Sequence, residues 1–150
     1  MSTQAKLNPL WLKAAVVGSI WAAFEIIVGS FLHNMRLPFA GTILASASVF
    51  LLVSFMQLWK EHGIIIRAGI ICALMKSISP SAIILGPMIG ILLEALLLEA
   101  ASFVFGKNFF GFLIGGALAV SSSLLQKILS YLIIYGYDLV RSEEHTSELQ

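Results

Sequence analysis

Residues 10–32 read LWLKAAVVGSIWAAFEIIVGSFL, and this apolar stretch decides the fold class. It contains two charged residues, Lys13 and Glu25. It is also long enough for a transmembrane helix, which needs about 20 mostly apolar residues. A secretory signal has a shorter apolar region and a small-residue cleavage site, and neither feature is found here. The stretch therefore predicts a helix that stays in the membrane rather than a leader that is removed.

Four more apolar stretches follow along the chain, and polar residues separate them. They cover residues 39–59, 64–78, 82–105 and 109–137. The whole chain is 59% hydrophobic and 11% charged, whereas a soluble domain is roughly 45–50% apolar and about 25% charged. This composition excludes a soluble globule, and it also excludes intrinsic disorder, which needs low hydrophobicity. We predict an all-α, polytopic transmembrane helix bundle with five visible helices.

Charge and motifs exclude several functions. The formal net charge is +1, without a basic stripe, so we expect no nucleic-acid partner. A single cysteine, Cys72, excludes a disulfide scaffold. The sequence contains no HExxH, P-loop or G-x-S-x-G motif and no paired Cys/His ligands. We therefore expect neither an enzyme nor a bound metal or cofactor.

The distribution of basic residues predicts how the chain lies in the membrane. Cytoplasmic loops carry an excess of Lys and Arg. If the N-terminus is cytoplasmic, two basic residues, Arg36 and Lys76, fall on the outer side. Five then face the cytoplasm, namely Lys6, Lys13, Lys60, Arg67 and Lys107. The prediction is a multi-pass protein of the inner (cell) membrane with a cytoplasmic N-terminus.

Charged residues inside the apolar stretches are the candidate functional groups. A charge at the bilayer centre costs at least about 2.5–3.5 kcal/mol, so such groups line a pathway or pair. Glu25, Lys76 and Lys127 fall in the outer parts of their predicted helices. They either form a ligand pocket beneath the outer loops or pair structurally, Glu25 with Lys76 or Lys127. Glu94 and Glu99 lie about 140° apart around one helix, which argues against a shared carboxylate pair.

The predicted ligand site also includes the first outer loop and the last helix. Asn34 and Arg36 lie in the loop HNMRLP, and Gln126 adds an amide beside Lys127. The expected ligand is a small molecule, and the two lysines favour one that bears a carboxylate or another anion. The predicted ligand-binding residues are Glu25, Asn34, Arg36, Lys76, Gln126 and Lys127.

Small residues repeat along one face of the first predicted helix. Ala14, Gly18 and Ala22 are spaced by four, and such rows allow the close backbone approach that drives helix packing in lipid. Two interpretations remain open. The row packs against another helix of this chain, or it docks a partner protein.

The last ten residues, RSEEHTSELQ, differ in character from all that precede them. They resemble the in-frame translation of a common sequencing-library adapter at every position, and such scars are set aside before fold reasoning. We therefore expect a transmembrane domain at residues 1–140, truncated at its end, and a non-native tail at residues 141–150. An acidic cytoplasmic tail is the alternative.

Several of these features resemble the substrate-binding (S) components of energy-coupling factor (ECF) vitamin transporters. The resemblance extends from Trp21 to about Gly136. It rests on the small apolar chain, the small-residue face of the first helix, the outer loop HNMRLPF and the glycine-rich segment GFLIGGALA. The stretches WAAFEIIVGSFLHNMRLPFAG and ALMKSISPSAIILGPMIGI also resemble related uncharacterised bacterial membrane proteins.

The resemblance implies six helices, a ligand site near the outer surface and a complex with a transmembrane coupling protein and paired ATPases. It implies that Ala14, Gly18 and Ala22 dock the coupling subunit. An S component has no ATP site of its own, in keeping with the missing P-loop. Five helices precede Val140, so we expect the sixth beyond the point where the tail begins.

Two other functions remain as alternatives to the micronutrient importer subunit. One is an integral membrane enzyme that acts on a lipid or prenyl group, for which Glu94 and Glu99 are the available acidic residues. The other is an independent secondary transporter or a structural membrane subunit.

Overall fold

The computed structural model describes residues 8–36, 39–78 and 85–147, with the backbone alone for residues 85, 130 and 133–147. These residues form five α-helices, which confirms the all-α prediction for the described part of the chain. The helices are α1 (Pro9–Asn34), α2 (Ala40–Leu58), α3 (Ile64–Ser77), α4 (Leu85–Phe105) and α5 (Phe109–Ser147). The backbone of α5 runs beyond the predicted end at residue 137 and continues past residue 140.

Four of the described helices are long and apolar enough to cross a membrane, which supports a multi-pass membrane protein. They are α1, α2, Gly86–Phe105 of α4 and Phe109–Leu129 of α5. The 14 residues of α3 extend over about 21 Å, whereas the hydrocarbon core is about 30 Å thick. Helix α3 is therefore not among the helices that are long enough to cross a membrane by length and composition.

The starts of the helices follow from local chemistry. The side chain of Asn8 accepts a hydrogen bond from the amide of Leu10 at 3.0 Å, and Pro9 occupies the first helical position, where its missing N–H costs nothing. Helix α3 begins after Gly63, whose φ of 86° is left-handed and favours glycine. Glycine has no side-chain oxygen, so the first amides of α3 need an acceptor from elsewhere.

The described helices form a closed ring in the order α1, α2, α5, α4, α3. Neighbours in the ring run antiparallel except α1 and α3, which run parallel because a ring of five cannot alternate throughout. Ion pairs join α1 to the α3 region at corresponding heights, Lys13 to Glu61 and Glu25 to Lys76. We call the end of the bundle that holds Lys13, Glu61 and Lys107 the Lys13 end, and the opposite end the Asn34 end.

The inside of the ring is filled by apolar side chains, and its outside is also apolar. Trp21, Leu52 and Leu98 are almost completely buried. Phe50 and Phe103 are 78% and 77% exposed on the outer surface. An apolar exterior around an apolar interior is stable in lipid rather than in water, which agrees with the membrane assignment.

Candidate functional site

A group of polar side chains lies inside the bundle, and we call Glu25, Ser48, Lys76 and Glu94 the intramembrane polar cluster. The ammonium of Lys76 donates to Oε2 of Glu25 at 2.5 Å, and the hydroxyl of Ser48 donates to Oε1 at 2.8 Å. Glu25 and Ser48 are buried, and the side chain of Lys76 is 15% exposed. Charge-assisted hydrogen bonds of this kind compensate the burial of a carboxylate.

The parallel arrangement of α1 and α3 brings Glu25 and Lys76 together. Glu25 lies about 24 Å along α1 from Pro9, and Lys76 lies about 18 Å along α3 from Ile64. Both helices start at the Lys13 end, so both charges lie toward the Asn34 end. Of the two lysines considered as partners of Glu25, the structure pairs it with Lys76.

Glu94 is the least satisfied member of the cluster. It is 3% exposed, and its Oε1 has no hydrogen-bond partner among the residues that the structure describes. It lies within electrostatic range of Glu25 and Lys76. The buried indole nitrogen of Trp21 also lacks a partner in the described ranges. Unsatisfied buried polar groups are rare in folded proteins, so Oε1 of Glu94 is a candidate functional atom.

The turn after α1 forms a separate cavity at the Asn34 end. Its volume is about 510 Å³, and its lining residues are Leu32, His33, Asn34, Arg36 and Ala40. Arg36 has a φ of 51°, a left-handed conformation that is uncommon for a residue with a Cβ and that often ends a helix. Imidazole, amide and guanidinium groups thus surround one space and supply hydrogen-bond donors to it.

The remaining predicted ligand residues, Gln126 and Lys127, lie on α5. The ammonium of Lys127 is 4.6 Å from the ring centroid of Phe39, a cation–π contact. Gln126 lies against α4, and a Cβ added to Gly90 would be 3.4 Å from its Oε1. The structure therefore joins Glu25 with Lys76 and Asn34 with Arg36, but Lys127 is directed at an aromatic ring.

The row of small residues on α1 faces α3 of the same chain. Ala14 and Ala22 are fully buried. A Cβ added to Gly18 would lie 2.9 Å from both the carbonyl oxygen of Ala68 and Cβ of Ile71. Ala14, Gly18 and Ala22 are therefore packed inside the bundle, with α3 against Gly18, and the docking role expected for them stays a prediction.

Glu99 has a different role from Glu94, although both lie on α4. Its Oε1 accepts from the amide of Gly63 at 2.7 Å, and its Oε2 accepts from the amide of Ile65 at 3.1 Å. The side chain of His62 is 3.7 Å from Oε1. Glu99 thus caps the start of α3, where the helix dipole favours a negative charge.

Sequence reasoning missed this cap, and it left Ser48, His33 and Phe39 out of the site. Gly63 before α3 was the available signal, since a glycine has no side chain to cap a helix and an acceptor from elsewhere is then needed. Ser48 had no such signal, because its hydroxyl reaches Glu25 only through the packing of α2 on α1.

Within the described residues, no group of three His, Cys, Asp or Glu side chains is placed to hold a metal ion. No family model, curated protein or solved structure matches the chain.

Proposed function

We propose that the protein is a membrane-embedded solute-binding subunit of an importer for a small micronutrient, and that it binds the solute at the Asn34 end. The intramembrane polar cluster is the main support, since charged groups within a bundle are typical of substrate pathways. The cavity beside Asn34 and Arg36 lies at the same end, and Glu25 is about 14 Å from Asn34 along α1.

The short third helix provides further support. Helix α3 starts at the Lys13 end and is about 9 Å shorter than the hydrocarbon core. Helices that stop inside the membrane are tolerated where they are buried in protein or line a cavity. Lys76 lies in the last turn of α3, so the end of this helix places a positive charge near the proposed solute site.

The contacts of the two lysines change the expected chemistry of the solute. Lys76 is paired with Glu25, and Lys127 lies over Phe39, so neither is the first choice for an anionic group. Arg36, with Asn34 and His33 beside it, is better placed for that role because all three line the cavity. We propose that a carboxylate or similar group of the solute binds there.

A coupling partner, if the importer has one, would bind α1 on a face other than its small-residue row. Ile20 and Ile27 are 44% and 70% exposed, and both lie about 160–180° around α1 from Gly18. The basic residues Lys13, Arg67 and Lys107 gather at the Lys13 end, where Arg67 lies 5.4 Å from the ring centroid of Trp11. This gathering supports a cytoplasmic Lys13 end and a cytoplasmic N-terminus.

The direct test is thermal stabilisation of the purified protein by a panel of vitamins and related micronutrients. A ligand that binds only the folded state raises the melting temperature according to its concentration relative to Kd. We expect one solute to stabilise the wild type and to lose at least tenfold in affinity with Arg36→Ala. The matched control is Lys60→Met, an exposed charge at the other end. No stabilisation by any solute, without a co-purifying ATPase, would overturn the proposal.

An independent secondary transporter is the second candidate, and Oε1 of Glu94, which has no hydrogen-bond partner in the described part of the chain, favours it. Proton-coupled transporters use buried carboxylates within the membrane as relay groups. Solute uptake into vesicles that hold the protein alone, driven by a pH gradient without ATP, would distinguish this transporter from a subunit of a larger importer.

A further inference from the structure

We propose that Glu94 is an intramembrane proton-binding site, and that its proton decides whether Lys76 stays paired with Glu25. The proton is the ligand of this site, and the unpartnered Oε1 of Glu94 is the atom that carries it. The site extends the proposed function, since it links the region where the solute binds to the pH on one side of the membrane.

The intramembrane polar cluster holds more acidic groups than basic groups. The cluster contains two carboxyl groups and one ammonium group. Glu25 accepts hydrogen bonds from Lys76 and Ser48, at 2.5 and 2.8 Å, whereas Oε1 of Glu94 accepts none from the described residues. A buried carboxylate without a partner is strongly disfavoured and takes up a proton instead. Glu94 is therefore neutral while Lys76 is bound to Glu25.

The groups that face Glu94 from the neighbouring helices determine what happens when the proton leaves. Cys72 and Lys76 lie on α3, and Glu25 lies on α1; all three are in electrostatic range of one another. From α5, the charged side chain within the described residues is Lys127, whose ammonium is over Phe39. Lys76 is thus the cation that acts on Glu94 among the described residues.

Loss of the proton makes Glu94 a competitor for Lys76. The carboxyl group releases H⁺ to water, the cluster gains one negative charge, and two carboxylates then share one ammonium. Like charges also repel Glu94 from Glu25. The Glu25–Lys76 contact joins α1 to α3 near the Asn34 end, so its weakening loosens these two helices next to the proposed solute site.

Infrared difference spectroscopy tests the proton directly, because a protonated carboxyl group absorbs apart from a carboxylate. We expect a protonated-carboxyl band in the wild type that disappears as the pH is raised. The band should be missing in Glu94→Gln, which keeps the shape of the neutral side chain. Glu99→Gln is the matched control, since Glu99 accepts two amide hydrogen bonds as a carboxylate and should leave the band unchanged.

Two results would overturn the proton site: a wild type without the band, or a band that persists in Glu94→Gln. If Glu94→Gln fails to fold, Glu94→Asp gives the same decision, because it must keep a titrating band at a shifted frequency. The vitamin panel described above is independent of this measurement. A confirmed band without any stabilising solute would therefore contradict the solute-binding function and leave the proton site intact.

Spin labels at Phe31 and Ile78 test the consequence for the helices. Both side chains are exposed, at 62% and 83%, and they lie at the Asn34 ends of α1 and α3. With Cys72 replaced by serine, we expect one narrow distance distribution at acidic pH and a broader one at alkaline pH. Glu94→Gln should keep the distribution narrow at both. A distribution that does not change with pH in the parent protein would overturn the link to Lys76.

Discussion

Glu25 of α1 and Lys76 of α3 form an ion pair with 2.5 Å between Oε2 and Nζ, buried at Glu25 and partly buried at Lys76, across the two neighbouring helices that run parallel to each other. Ser48 of α2 donates to the other oxygen of the same carboxylate. One carboxylate therefore joins three helices. Buried pairs of this kind are sensitive to the loss of one partner, because the other charge is then left without compensation.

We expect Lys76→Met to lower the free energy of unfolding by about 3–5 kcal/mol, since Glu25 would remain buried and uncompensated. The double variant Glu25→Gln, Lys76→Met should recover most of this loss, because both charges are then removed. Reversible unfolding in mixed micelles measures both effects. The control is Lys13→Met, which breaks the more exposed pair with Glu61 and should cost about 0–1 kcal/mol. A double variant as unstable as Lys76→Met would contradict this account.

Gly18 lies in close contact with α3. Gly18→Ala places a Cβ 2.9 Å from a backbone oxygen of α3, so the helices must separate, at a cost of about 1–3 kcal/mol. Gly41→Ala is the matched control, because the space around its Cβ is open and alanine favours a helix. Thermal unfolding of both variants checks the prediction. Equal melting temperatures would show that α3 does not pack tightly on this face of α1.

Glu99 stabilises the start of α3 from a different helix. Glu99→Ala removes the acceptor for the amides of Gly63 and Ile65, and we expect a loss of about 1.5–3 kcal/mol. Hydrogen exchange should rise first at residues 63–66. Glu61→Ala, which removes an exposed carboxylate at the same end, should leave exchange there almost unchanged. Equal exchange in the two variants would argue that α3 does not depend on this cap.

Lys107 lies between α4 and α5, where its ammonium donates to the carbonyl oxygen of Glu61 at 2.7 Å. Burial lowers the pKa of Lys107 from its ordinary value of 10.5, although Glu99 and Glu61 act in the opposite direction. Between the lowered pKa and 10.5 the unfolded chain binds more protons than the folded one, so stability rises with pH across that window.

Lys107→Met should remove this alkaline rise in the free energy of unfolding, and the exposed Lys60→Met should retain it. Unfolding curves along an alkaline pH series give the comparison. If Lys107→Met shows a rise of the same size, the rise in the free energy of unfolding comes from another group.

The spans of this protein were readable from its sequence because hydropathy is a local property. A run of about 20 apolar residues must leave water wherever it lies, so the order of neighbours along the chain is enough to recognise it. Residues 10–32 and 39–59 became α1 and α2 with small shifts at their ends. Residues 64–78 became α3, which is shorter than the four helices that are long enough to cross a membrane.

The contacts of the charged residues were decided by the tertiary structure alone. Composition and spacing left Glu25 with two possible lysines, and they left the small face of α1 open to either a partner or another helix. The ring of five helices pairs Glu25 with Lys76 and packs α3 against Gly18. An odd ring must place one pair of neighbours parallel, and that pair is α1 and α3. Lys76 thereby reaches Glu25, and α3 covers Gly18, although about 50 residues of chain separate the partners in each case.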